Sequence, residues 1–182
     1  MTQEQRFDLG LVDTIEAETL GEPGQRTFNV SVRSARGEAK VWMEKEQLLQ
    51  LSVAIRRLAA AAESPGSPEG YVPEYAHAGD PVAVDFKIGD MRLRYDEATD
   101  VFTLEATDSR RDDDEGEDEG AEEPTTVQFA FRRAAAEELA ETATRIVSAG
   151  RPLCLFCHGP MDAAGHICPR SNGHHRVGAA PE

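Results

Sequence analysis

Cys154, Cys157 and Cys168 are the only cysteines of the chain, and they fall within fifteen residues of one another. The run reads Cys154-Leu155-Phe156-Cys157-His158, then Gly165-His166-Ile167-Cys168-Pro169-Arg170. Two thiolates spaced Cys-x-x-Cys point from one tight turn toward a common centre, and soft thiolates with an imidazole suit Zn²⁺ held tetrahedrally. Four protein ligands leave no position for water, so a site of this kind is structural rather than catalytic. In a compact zinc ribbon the second knuckle would supply another cysteine, but here it reads Cys168-Pro169-Arg170-Ser171. His166 lies two residues before Cys168, which puts both side chains on one face of an extended strand. His174 lies six residues after Cys168 and can return through the turn Ser171-Asn172-Gly173. The expected ligand set is Cys154, Cys157, His166 and Cys168, with His174 as the alternative fourth ligand and His158 and His175 as weaker candidates.

Other chemistry competes poorly for these residues. A redox dithiol of the thioredoxin type sits between a strand and a helix in a βαβ frame, whereas this pair follows a helix and Gly150-Arg151-Pro152. No Gly-x-x-x-x-Gly-Lys-Ser/Thr, Gly-x-Gly-x-x-Gly or Gly-x-Ser-x-Gly occurs, so phosphate cradles and hydrolase elbows lack their signatures. His77, Asp80 and Asp85 could form an acid-base group. Lone histidines and strand carboxylates are more often surface or satisfied residues, and no catalytic constellation is assigned.

The elements that must position the cysteines read as two similar halves. Phe7–Leu11, Thr14–Leu20, Arg26–Arg33 and Ala39–Met43 have strand character, with Phe28, Val30 and Val32 alternating on one face. Their short connections predict antiparallel neighbours. From Glu44 the period changes, and Leu48, Leu51, Ile55, Leu58 and Ala62 mark an amphipathic helix ended by Ser64-Pro65-Gly66. Trp42, an aromatic just ahead of that helix, is expected to pack beneath it. In the second half Val82–Ile88, Met91–Tyr95, Val101–Ala106 and Thr126–Phe131 read as strands, with a turn at Gly89-Asp90. Ala134–Ser148 reads as a helix with Leu139, Ala143, Ile146 and Val147 inward. The predicted fold class is α+β: a largely antiparallel sheet with two amphipathic helices on one face, an internal strand-helix duplication and a small C-terminal zinc-ribbon-like module. The expected divisions are an α+β domain over 1–150, the module over 151–176 and a disordered tail over 177–182.

Charge narrows the partners. The formal net charge is -15, and residues 112–123 carry nine carboxylates, leaving the remainder near -6. Residues 108–124 are expected to form a flexible acidic loop, too charged to bury. A surface this acidic repels nucleic acid and anionic lipid, and Arg151, Arg170, His174, His175 and Arg176 make only a small basic face. Nucleic acid is therefore an unfavoured partner. The start Met1–Arg6 has no apolar run and no stretch approaches the ~18 apolar residues of a membrane span, so a cytoplasmic protein is expected, where thiols stay reduced for metal.

Gln5-Arg6-Phe7-Asp8-Leu9, Arg26-Thr27-Phe28, and above all Cys154-x-x-Cys157 with Gly165-His166-x-Cys168-Pro169-Arg170-x-Asn172-Gly173 resemble the actinobacterial DUF3090 family, of no established activity. The resemblance covers nearly the whole chain. It implies a cytosolic protein typically encoded beside a histidine-phosphatase-like and a kinase-like protein, either of which is then a candidate partner. The functional expectation is a zinc-binding cytosolic accessory or adaptor protein. The alternatives are an enzyme or enzyme subunit in phosphate or cofactor metabolism, and a nucleic-acid binder acting through the ribbon.

Overall fold

A computed structural model describes residues 5–22, 25–62, 71, 80–109, 124–150, 154, 156–157, 161, 166–167 and 176–177. The main body contains β1 (Gln5–Leu11), β2 (Thr14–Leu20), β3 (Thr27–Ser34), β4 (Gly37–Met43), α1 (Lys45–Ala61), β5 (Val82–Asp96), β6 (Val101–Asp108), β7 (Thr125–Arg132) and α2 (Arg133–Ser148). It is an α+β fold. The seven strands form one sheet in the order β1-β7-β6-β5-β4-β3-β2. Period-two burial sends Phe28, Val30 and Val32 of β3, Val41 and Met43 of β4, and Phe102 and Leu104 of β6 into a single core. Leu48, Leu51, Ile55 and Ala59 of α1 and Ala136, Leu139, Ala140, Ala143 and Val147 of α2 are also buried. The helices meet through small residues. Thr144 Oγ1 lies 3.5 Å from Ser52 Oγ, and Arg56 Nη2 lies 3.2 Å from Thr144 Oγ1.

Three parts of the sequence reading change. β1 does not pair with β2; it runs parallel to β7, with Gln5–Asp8 opposite Thr125–Gln128. Short connections constrain only strands that are neighbours in the sheet, and β1 and β2 lie at its opposite ends. Val12 and Asp13 alone join them, so the sheet must curl until its ends meet. The stitches are Val12 N–H to Ala130 O and Asp13 N–H to Arg33 O, both 2.8 Å, and Ser34 Oγ to Leu9 O at 2.8 Å.

Gly89-Asp90, expected to be a turn, lies inside the single strand β5. Val82–Lys87 pair parallel with β4, the register shifts at Gly89, and Asp90–Asp96 pair antiparallel with β6. A Cβ at Gly89 would meet Ser109 Cα at 2.8 Å, so the glycine marks a bulge under close backbone approach rather than a reversal. The duplication then becomes explicit in the topology. β2-β3-β4-α1 and β5-β6-β7-α2 are each an antiparallel meander followed by a helix. β1 meets β7 in parallel as the first part of β5 meets β4. β1 and β2 together thus play the part of β5, with Gly10 (φ +65°) at the bend where β5 has Gly89.

A third change concerns Trp42. Val41 and Met43 face the core, so alternation turns Trp42 outward, where its Nε1–H donates to Asp85 Oδ1 at 2.7 Å. The residue directly before the helix belongs to the strand's outer set, and position in sequence alone does not place it under α1.

At the edge of the main body, Asp108 and Pro124, assigned to the acidic loop, are described and buried; Asp108 closes β6. Residues 110–123 lie outside the described residues. β8 (His166–Ile167) and β9 (Arg176–Val177) form a separate antiparallel pair, His166 opposite Val177 and Ile167 opposite Arg176, so β9 runs one residue past the expected module boundary. No helix among the described residues is long and apolar enough to cross a membrane.

Candidate functional site

The approach to the cysteines is fixed by the main body. α2 ends at Ala149, whose N–H reaches back to Arg145 O, leaving its own carbonyl among the orphans of a helix C-terminus. Arg26, just ahead of β3, donates from Nη1 to that carbonyl at 2.6 Å. A guanidinium there satisfies the carbonyl and opposes the negative end of the helix dipole. It also fixes the C-terminal end of α2, which precedes Cys154 in the chain.

Cys154 is buried at 1% exposure, Cys157 is half-buried, and neither is in a disulfide. The Phe156 N–H donates to Cys154 Sγ at 3.4 Å. An amide aimed at sulfur from two residues on is the local consequence of the tight Cys-x-x-Cys turn. Phe156 itself is 56% exposed, so the turn presents an apolar side chain outward while turning its first sulfur in.

The other expected ligands are less fully placed. The backbone of His166 lies in β8, and the chain between β8 and β9 carries Cys168 and His174, which lie outside the described residues, as do His158 and His175. Among the described residues no group of three or more His, Cys, Asp or Glu comes together. The described half of the donor set, a buried sulfur with an amide donor and a second cysteine three residues on, fits a thiophilic ion such as Zn²⁺.

The acid-base trio does not assemble among the described residues. His77 lies outside them, and Asp85 is engaged with the Trp42 indole. A polar cluster unmarked by the sequence reading occurs instead where β5, β6, α1 and α2 converge. The Tyr95 hydroxyl donates to Asp100 Oδ1, and Arg133 Nη1 lies 3.3 Å from the Tyr95 oxygen and 3.5 Å from Asp100 Oδ1. Arg133 also donates to Ala59 O in the last turn of α1 and, through Nε, to Glu137 Oε1 at 3.2 Å. Burial, and then the hydrogen bond to Asp100, hold the Tyr95 hydroxyl above its ordinary pKa of 10.0. The groups satisfy one another, which makes the cluster a clamp between the two halves rather than a reactive site. Its one sequence signal was the i,i+4 pair Arg133 and Glu137 at the start of α2.

The two helix ends are held alike: Arg133 serves the end of α1 as Arg26 serves the end of α2. Nothing among curated proteins or solved structures matches the chain. A family model does match, over residues 7–168, a span that takes in both halves of the sheet and ends on Cys168, so that Cys154, Cys157, His166 and Cys168 fall inside it and His174 outside. The chain therefore belongs to the family of proteins of unknown function DUF3090.

Proposed function

We propose that this protein is a cytoplasmic zinc-binding accessory or adaptor protein, with Zn²⁺ held structurally by Cys154, Cys157, His166 and Cys168. The observation that carries this reading is the Cys154 turn: a sulfur buried to 1% exposure, met by the Phe156 amide and followed by Cys157. The ending of the family match at Cys168 favours His166 over His174 as the fourth ligand. Bound zinc would supply folding energy to a segment too short to bury a core of its own. The rest of the chain acts as a scaffold: the curled sheet and helix pair give the metal segment a fixed anchor at Ala149. A histidine-phosphatase-like or kinase-like neighbour, which the family resemblance implies, is the partner to try first.

Elemental analysis of protein purified without added metal tests the reading. One zinc per chain is expected, with loss of metal in Cys154→Ser or Cys168→Ser while the far-UV signal of the main body persists. Substoichiometric zinc that supplementation does not restore would refute it.

A further inference from the structure

Four large apolar side chains are exposed among the described residues, and two of them, Leu49 at 40% and Val53 at 41%, stand one turn apart on α1. With Gln50, Ala54, Arg57 and Leu58 they line a shallow groove of about 580 Å³. The duplicated fold supplies an internal standard for this face. Leu48, Leu51, Ser52, Ile55 and Ala59 are the buried positions of α1, and at one constant interval they fall on Ala136, Leu139, Ala140, Ala143 and Val147, the buried positions of α2. At the same interval Leu49 falls on Glu137 and Val53 on Glu141, both exposed. α2 thus carries charge where a helix of this fold meets water, and α1 carries apolar carbon at the same two places. Adjacent apolar side chains on an otherwise polar helix face mark a contact surface rather than scattered exposure.

The charges along the same stripe say what covers it. Helical spacing puts Glu46, Leu49, Gln50, Val53 and Arg57 on one side of α1, with Glu46 at its start and Arg57 near its end. The two charges are about 16 Å apart along the axis, too far to meet within one chain. Neither has an ion-pair partner among the described residues. A second α1 laid antiparallel across the stripe, about a twofold axis at the level of Leu51 and Ser52, brings Glu46 of each copy level with Arg57 of the other. Leu49 of each then lies against Val53 of the other. A parallel arrangement would set Glu46 beside Glu46 and Arg57 beside Arg57. The stripe is self-complementary in the antiparallel orientation alone, as an isologous contact requires.

We infer that α1 pairs antiparallel with α1 of a second copy of this chain, making a twofold dimer with Leu49 and Val53 at its centre and a Glu46–Arg57 ion pair at each rim. The face of one helix lies at the small end of interface sizes, so the dimer is weak, with a Kd of about 10–100 μM. The net charge of -15 on each copy opposes association, and salt near 0.15 M confines that repulsion to about 8 Å. The pairing does not involve the metal segment.

Sedimentation equilibrium of the full chain, supplemented with zinc and kept reduced to exclude disulfide dimers, reads the association at about 0.15 M salt over about 5–500 μM. A monomer–dimer equilibrium is expected. Val53→Glu should weaken it at least about tenfold, because symmetry buries two carboxylates without partners. Its far-UV signal and urea midpoint should stay those of the parent, since the position is exposed. Glu46→Arg and Arg57→Glu should each self-associate about tenfold more weakly, because each sets like charges together at both rims. An equimolar mixture of those two variants should dimerise again, because opposite charges then meet at both rims. A chain that stays monomeric throughout overturns the proposal and leaves the face to a different partner. So does a dimer that Val53→Glu leaves intact, which is formed elsewhere, or a mixture of the charge variants that associates no better than either alone, which rules out the antiparallel register.

Discussion

Replacing Gly37 by alanine tests the joint between the two halves of the sheet. Gly37 opens β4 with φ +138°, and an added Cβ would lie 2.0 Å from Val82 O and 2.6 Å from Val82 N. These are backbone atoms of the parallel partner strand, so no side chain can swing aside. Relief requires moving the start of β5, which carries the Val82 N–H to Arg36 O bond of 3.1 Å and the Gly37–Val82 register. A residue forced into such a backbone region costs about 1–3 kcal/mol, and each backbone hydrogen bond lost adds about 0.5–1.5 kcal/mol. The sum is about 3 kcal/mol, or a fall in melting temperature of about 6–12 °C for a chain of this size.

Gly10→Ala is the internal comparison. At φ +65° the atoms nearest its new Cβ belong to the Arg36 guanidinium, at 3.3 Å, and that group is the far end of a flexible side chain. The left-handed penalty alone, about 1 kcal/mol, remains. Gly150→Ala, where the nearest atom is Lys45 Nζ at 3.9 Å, should be silent. Urea denaturation followed by circular dichroism, with m-values compared, gives the three numbers. If Gly37→Ala costs no more than Gly10→Ala, the close parallel approach of β4 and β5 is wrong, and with it the argument that this contact joins the halves.

For the proposed zinc site, His166→Ala should speed zinc transfer to a competing chelator at pH 7 far more than His174→Ala, because loss of one of the four proposed ligands would open the site to water; equal effects, or a greater one at His174, would overturn the assignment. Deleting residues 112–122 should leave thermal stability nearly unchanged, since altering loop length changes closure entropy by less than ~1 kcal/mol, and a large fall would show that the block packs or binds. Tyr95 has its pKa raised in the folded state, so its contribution is fully present below pH 10 and is lost as pH rises through the folded value. The urea midpoint should therefore drop on going from pH 9 to pH 11, and Tyr95→Phe should flatten that drop; an unchanged slope in the variant would remove Tyr95 as its source.

The local periods of the sequence were enough to find both helices and most strands, because burial on one face leaves its mark every two residues in β3 and every three or four in α1. The cysteine cluster was equally plain, since Cys154 and Cys157 stand three residues apart in the chain. The sequence also carried the repeated order of strands and helix, though not its consequence. Which strand lies beside which is decided by contacts distant in sequence, and three readings turned on that. β1 belongs beside β7, more than a hundred residues away, because only a curled sheet can satisfy the two-residue link to β2. Gly89 looks like a turn from its neighbours alone, yet the backbone of Ser109 makes it a bulge. Trp42 was placed under α1 by proximity, whereas the pleat, set by Val41 and Met43 in the core, turns it to the outer face. The clamp of Tyr95, Asp100 and Arg133 is a product of tertiary packing: it gathers residues from β5, the turn after it and α2, and beyond the local Arg133–Glu137 pair a linear pattern does not show such a meeting until the sheet has closed.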